Sequence, residues 1–377
     1  MPSLAKTRIH PPTFAEISLR ALADNFSTVR KQIPMAVKIM GVVKANAYGH
    51  GAVEIGRELV AAGADMLAVA SVFEAEELRS AGITAPILIL SESPPEAAEE
   101  IVALGLCQTV CTESLARALS RAAQSAGATV PIHVKVDTGM GRVGIDWQKA
   151  AAWIEQVRDM PGLRLDGVFT HFAKADLKDD SYTALQKTRF DSVLVALKDR
   201  GIKIPLIHAA NSAAALFHPA THYDMVRLGI CLYGLNITPQ TPFGIPLAPV
   251  LSLKTRVMFV KRAAAGSSLG YGGTYVTPRE TTIVTLPIGY ADGLNRTLSG
   301  IGQVLIRGQR FPIVGRISMD LTLVDVGDQP VEVGDEVVLI GSQGRERIRA
   351  EDLASAQGTI AYEIVCGIGK RVPRIVI

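Results

Sequence analysis

The sequence predicts an α/β protein: a (β/α)8 barrel of the TIM type, followed by a mostly β C-terminal domain. Three observations carry that expectation. Eight short apolar runs alternate with longer helix-period segments up to about Gly234. A stretch rich in proline then follows, Asn236–Pro249, with Pro239, Pro242, Pro246 and Pro249. Beyond it the runs become short, β-type and punctuated by Gly and Pro, as in an all-β texture. Periodicity alone also fits an open doubly wound sheet. The count of eight favours closure, because strands joined by helical crossovers pair in parallel and eight close without remainder.

The expected barrel strands are Val37–Ala45, Met66–Ser71, Pro86–Ser91, Cys107–Thr112, Ile132–Gly139, Leu165–Ala173, Pro205–Ser212 and Met225–Gly234. Between them lie amphipathic pieces: Glu74–Gly82, Pro95–Gly105, Ser114–Gly127, Trp147–Met160 and Tyr182–Gly201. Several close on glycine, the usual helix stop. The β-rich part carries Leu251–Lys261, Thr281–Pro287, Gly302–Ile306, Phe311–Val314, Leu321–Val326 and Asp335–Ile340, with Ala350–Gln357 as its one helical segment. The expected domains are 12–245 for the barrel and 246–377 for the β-rich part, with residues 1–11 associated with the latter.

Composition narrows the function. Hydrophobic residues make up 48% and charged residues 20% of 377, ordinary for a soluble protein with a substantial core. A net charge of +3 argues against nucleic acid or a membrane surface as partner. The start Met1-Pro2-Ser3-Leu4-Ala5-Lys6 leads into no apolar run, and Leu59–Phe73 is broken by Asp65. Neither a signal peptide nor a membrane span is expected, and the chain reads as cytoplasmic. Cys107, Cys111, Cys231 and Cys366 have no metal-type pairing and read as free thiols, so no metal is expected.

Barrel active sites gather at the C-terminal ends of the strands. Chemistry-capable residues recur there: Lys44 and Tyr48, then Lys135 through Arg142, His171, Asn211 with Ser212, and Arg227 with Gly229 and Ile230. Lys44 ends an apolar strand before a Gly-rich turn, where desolvation would lower its pKa toward a nucleophilic, imine-forming amine. A snorkelling lysine at a strand rim fits the segment equally well. Ser212 is placed to N-cap Ala213–Phe217, and amides there and at Gly229–Ile230 could meet an anion; a plain N-cap is the simpler reading of Ser212 alone. An imine-forming lysine beside a phosphate cradle suggests pyridoxal phosphate (PLP). Gly139-Met140-Gly141-Arg142-Val143-Gly144 spells G-x-G-x-x-G, but it follows the fifth strand and contains a cation, so a dinucleotide site is not expected. His218 and His222 are separated by Pro219 and read as loop residues.

Seven motifs in order resemble the alanine racemase family over essentially the whole chain: Val42–Gly51, Val136–Arg142, Thr170–Ala173, Ala210–Ser212, Arg227–Gly234, Leu269–Gly272 and Gly315–Asp320. The resemblance implies PLP carried on Lys44 and racemisation of alanine by two bases, Lys44 and Tyr271 from the partner subunit of a homodimer with shared sites. It implies Tyr48, Ser212, Gly229, Ile230 and Tyr362 around the PLP phosphate, with Asn211 among the cofactor-binding residues. Arg227 would face the pyridine nitrogen, with His171 beside it. Arg142 would meet the cofactor's phenolic oxygen and, with the Met319 amide, the substrate carboxylate. Lys135 matches a position carbamylated in some members, and Asp176, Arg296, Arg316 and Ile360 match an access corridor. The implied role is to supply D-alanine for peptidoglycan or to catabolise it. Ser318 stands where some relatives have cysteine. A decarboxylase on the same plan would place a carboxylate where Arg227 stands, a single-barrel PLP-binding protein would lack the β domain and Tyr271, and a broad-specificity racemase differs only in pocket size.

Overall fold

The computed structural model describes residues 11–237 and 241–377. It divides into two compact units, Arg20–Asn236 with Gln240–Ala248, and Met1–Leu19 with Ile237–Pro239 and Pro249–Ile377.

The first unit is a closed parallel barrel. Its strands are β1 Lys38–Val42, β2 Met66–Val69, β3 Ile87–Glu92, β4 Cys107–Val110, β5 Val130–Asp137, β6 Leu163–Phe169, β7 Leu206–His208 and β8 Met225–Leu228. β8 pairs with β1 at Met225↔Lys38, and β4 pairs with β5 at Gln108↔Ile132, so no edge of the eight-strand ring is open. Most strand residues are fully buried, among them Ile39, Leu67, Ile89, Val134 and Val226. Such continuous burial is expected of strands covered on both faces, and it explains why the sequence shows apolar runs rather than alternation. Helices Ala52–Ala61, Val72–Ser80, Glu113–Ser125, Trp147–Arg158 and Ser181–Asp199 form crossovers. Their starts are set by short polar caps: Ser71 accepts from the Glu74 amide, Thr112 from Leu115 and Asp146 from Gln148.

Several strands end earlier than the apolar runs. β1 stops at Val42, because Ala45–Tyr48 adopt positive φ; β8 stops at Leu228, because Gly229–Gly234 wind into turns closed by Leu232 N–H to Gly229 O (2.8 Å) and Gly234 N–H to Cys231 O (3.1 Å). Hydrophobicity marks burial, and the chain stays buried past the point where the ladder ends.

The second unit is built on a ten-stranded, mostly antiparallel sheet. Its path runs Phe259–Ala263, Thr281–Leu286, Thr322–Gly327, Gln309–Val314, Gln303–Ile306, Glu336–Gln343, Leu251–Arg256, Phe14–Ile17 and Arg374–Val376. Phe14–Ile17 pairs on one side with Leu251–Lys254 and on the other with Arg374–Val376. The boundary read at residue 12 therefore differs: residues 11–19 group with the β unit, because a four-residue strand is too short to show periodicity, while the expected placement of residues 1–10 lies outside the described residues. Helix Ala350–Gln357 lies where expected, but a second, Ala361–Cys366, follows it. At six residues it is too short to carry a helical pattern.

Among the described residues no helix is long and apolar enough to cross a membrane, and no cluster of three or more His, Cys, Asp or Glu is placed to hold a metal. Cys107, Cys111 and Cys231 are buried free thiols, and Cys366 is exposed.

Candidate active site

Lys44 opens a turn with unusual backbone geometry. Ala45, Asn46 and Ala47 have φ/ψ near 52°/50°, and Tyr48 has φ 53°. Hydrogen bonds Ala47 N–H to Val43 O (2.8 Å) and Gly49 N–H to Ala45 O (2.9 Å) make this one turn of left-handed helix. For L-residues other than glycine each such position costs about 1–2 kcal/mol, so the surroundings must hold it. Glu74 does so by accepting from the amides of Ala45 and Ala70, both at 2.7 Å. Asn46 Oδ1 accepts from the Ala52 amide (2.8 Å) and ties the turn to the next helix.

The turn sends Tyr48 inward, where its ring lies 4.9 Å from that of Tyr233. Its hydroxyl lies against Gly229: a Cβ built on that glycine would sit 2.6 Å from Tyr48 Oη. The amide of Gly229 donates to Ser212 Oγ (2.9 Å), to which Cys231 Sγ also donates (3.3 Å). Tyr48, Ser212, Gly229 and Ile230 thus converge at the ends of β1, β7 and β8. One expectation is corrected here. The residue capping helix Ser212–Phe217 is Asn211, whose Oδ1 accepts from the Ala214 amide (3.0 Å); Ser212 is the first helical residue and its hydroxyl turns to Gly229 instead.

Arg227 is 4% exposed, and its two terminal nitrogens face four partners. Its Nη2 donates to Thr170 O and Ala209 O, both at 2.8 Å, and lies 3.1 Å from His171 Nδ1; Nη1 lies 2.9 Å from His208 Nδ1. Burial lowers its pKa to about 9, which leaves it charged at neutral pH. The same burial, reinforced by Arg227, Lys135, Arg142 and Lys44, pushes His171 well below the ordinary imidazole value, so it is neutral. Lys135, 6% exposed on β5, is lowered to about 8, first by burial and then by Arg142 and Arg227, with Lys44 adding.

Arg142 rides an exposed loop shaped by Asp137, whose carboxylate accepts from Gly139 (2.9 Å) and Gly141 (3.0 Å). Gly139 has φ 139° and its carbonyl accepts from Tyr182 Oη (2.8 Å). Behind the loop, Gln186 Nε2 donates to Thr138 Oγ1 (3.2 Å) and His171 O (3.0 Å), tying β5 to β6. Gln186, Glu74 and His133 were not singled out in the sequence. No local pattern marks them: the burial of Gln186 on helix Ser181–Asp199 exists only in the folded chain.

Tyr271, Met319, Tyr362, Arg296, Arg316 and Ile360 lie in the β unit and Asp176 in the barrel unit. Tyr271 sits between the paired strands Ser268–Leu269 and Tyr275–Val276 and is 70% exposed. That hairpin is anchored by Leu269 and Tyr275 in a cluster with Ala263, Ile283, Val314 and Leu323. Met319 is also exposed, on a loop laid against Gly289–Ala291: Tyr290 N–H meets Ser318 O (3.1 Å) and Ala291 N–H meets Met319 O (3.0 Å). Gly289 permits this, since a Cβ there would lie 2.3 Å from both carbonyl oxygens. Tyr362 is on helix Ala361–Cys366. Arg296 lines a cavity of about 730 Å³ with Tyr290, Asn295, Gln357 and Glu363, while Arg316 and Ile360 do not.

A barrel whose strand ends gather a lysine, a buried arginine and a group of hydroxyls, carried on one chain with a β unit, defines a two-domain barrel enzyme. The chain belongs to the alanine racemase family: residues 17–237 match the family's N-terminal domain and residues 250–376 its C-terminal domain. It is thus an enzyme of the racemase type. It is 47% identical over 368 residues to an alanine racemase of Halothermothrix orenii, covering 97% of each chain. A crystal structure of alanine racemase from Bacillus anthracis with bound L-Ala-P is 39% identical, with TM-score 0.93 over 98% of this chain and 96% of that one. A histidine racemase from Leuconostoc mesenteroides is also similar, at 31% identity and TM-score 0.90 over 98% and 99%.

Proposed function

We propose that the chain interconverts L- and D-alanine, with PLP carried covalently on Lys44 and its phosphate held by Tyr48, Ser212, Gly229, Ile230 and Tyr362, beside Asn211. The residues fit such a group: the Gly229 Cα is left bare against the Tyr48 hydroxyl, in a place a Cβ would fill. When bound, PLP draws electrons from the substrate and acidifies its α-proton. Two proton carriers must then work on opposite faces, and Lys44 and Tyr271 of the partner subunit take those roles. The exposed Tyr271 supports a base offered to another chain. Arg142 and the Met319 amide bind the substrate carboxylate, and Arg142 also meets the cofactor's phenolic oxygen. Asp176, Arg296, Arg316 and Ile360 guard access, and Lys135 is a carbamylation site that orients Arg142.

The single observation that carries racemisation over other PLP chemistry is Arg227, buried and held from four sides where it would face the pyridine nitrogen. A guanidinium does not give up a proton readily, so Arg227 would leave the ring nitrogen of a bound cofactor unprotonated and restrain its pull on electrons. His171 supports this setting by remaining a neutral acceptor for Arg227. A carboxylate at this place would instead favour decarboxylation or transamination.

The similarity to a histidine racemase supports a second reading of substrate, since one fold serves both side chains. Purified protein incubated with PLP and either L-alanine or L-histidine distinguishes them by chiral chromatography. D-Alanine should form, and Lys44→Ala should abolish it. An active preparation that racemises histidine and leaves alanine untouched would overturn the alanine reading.

A further inference from the structure

Arg227 heads a single file of side chains through the barrel interior. Its Nη1 lies 2.9 Å from His208 Nδ1, and His208 Nε2 lies 2.8 Å from His133 Nδ1. A guanidinium has only donors, so the direction of every bond is determined. His208 Nδ1 must offer its lone pair to Arg227, which puts the His208 proton on Nε2. That proton is donated to His133 Nδ1, and the His133 proton is therefore on Nε2. The last nitrogen is buried with no hydrogen-bond partner among the described residues, so none of them reverses the order. Both rings are fully buried. His133 is lowered to about 4, chiefly by burial, with Asp166 opposing and Arg227 adding to the drop, and His208 is pushed well below its ordinary value by burial and then by Arg227 and His133.

The fold makes room for this arrangement. His133 on β5 pairs with Gly167 on β6, and a Cβ at Gly167 would lie 2.6 Å from His133 Nδ1 and 2.7 Å from Cε1. The His208 ring is stacked on Phe169, 4.7 Å between centroids and 6° from parallel. If His133 offered no acceptor, the Nε2–H of His208 would be orphaned. The alternative tautomer would set an N–H against the N–H of Arg227.

We propose that His133 is a positioning residue for the reaction: by accepting from His208 it fixes the tautomer that receives Arg227, and so fixes the guanidinium in the site. The role in catalysis rests on the reading of Arg227 given above, whereas the tautomers rest on geometry alone.

The test uses the PLP-loaded full chain, labelled with ¹⁵N-histidine and examined by long-range ¹H–¹⁵N spectra. His208 and His133 should both be protonated at Nε2 only. A proton on Nδ1 of His208, or a doubly protonated His208, overturns the proposal. Two variants of similar size separate positioning from packing. His133→Leu should lower kcat by about tenfold or more with KM within about threefold, whereas His133→Asn, whose carbonyl replaces the acceptor, should stay within about threefold of the parent in both. Equal losses in the two variants at equal thermal stability would also overturn it. If neither variant folds, the wild-type spectra decide. A wild-type protein that racemises no alanine would defeat the functional reading and leave the tautomer result standing.

Discussion

Lys135 shows how far the site displaces a single residue from its ordinary chemistry. With its pKa lowered to about 8, roughly a tenth of the amine is neutral at pH 7, against fewer than about one in a thousand for an ordinary lysine. A neutral amine is what carbon dioxide attacks, and the product is an anion placed among the cations that lowered the pKa, Arg142, Arg227 and Lys44. The sign follows. The neutral fraction rises as pH rises toward 8 and falls about tenfold per unit below it. At fixed dissolved ¹³CO₂, a carbamate ¹³C signal should therefore grow from about pH 6 to about pH 8 and be absent in Lys135→Ala. A flat signal, or one that survives the substitution, would remove Lys135 as the modified residue.

The element that matters most is the left-handed turn Ala45–Tyr48. Four consecutive non-glycine residues at positive φ are costly, and the turn survives because Glu74 and Asn46 take up its amides and those of its neighbours. The return on that strain is geometric: the reversed winding leaves Lys44 at the mouth of β1 and brings Tyr48 onto Gly229. Two substitutions should move stability in opposite directions. Ala45 is exposed, so Ala45→Gly relieves strain without losing packing and should raise unfolding stability by up to about 1 kcal/mol, while lowering kcat through a looser lysine. Glu74→Ala strands two amides and should cost about 2 kcal/mol. Urea denaturation measures both. A destabilised Ala45→Gly would show that the turn is not strained.

At the scale of the whole molecule, the residues proposed for one site are divided between the two units, with Lys44 on the barrel and Tyr271 on an exposed hairpin of the β unit. Shared sites in a homodimer make a distinctive arithmetic. Chains carrying Lys44→Ala and chains carrying Tyr271→Phe should each be nearly inactive alone. After mixing and subunit exchange, each heterodimer holds one intact and one doubly damaged site, so activity should recover to about a quarter of the parent. Exchange verified by mass, without recovery, would place both bases on one chain.

The sequence by itself determined the barrel, the β unit, and the addresses of Lys44, Tyr48, Lys135, His171, Ser212 and Arg227 at strand ends, because burial and crossover length are written in local apolar runs and motif spacing. It did not reveal that Phe14–Ile17 joins the β sheet, that Asn211 rather than Ser212 caps its helix, or that helix Ala361–Cys366 exists. The partners of Phe14–Ile17 lie far along the chain, the choice between the adjacent Asn211 and Ser212 as cap depends on Ser212 turning to Gly229, and a six-residue helix is too short to leave a pattern. Nor could it show the left-handed turn, since Ala-Asn-Ala-Tyr has no glycine to announce positive φ. The file from Arg227 through His208 to His133 was likewise decided only by tertiary structure. Its order depends on which nitrogen faces which across three strands, and a bond direction set by a donor-only guanidinium exists only once those strands have closed the barrel.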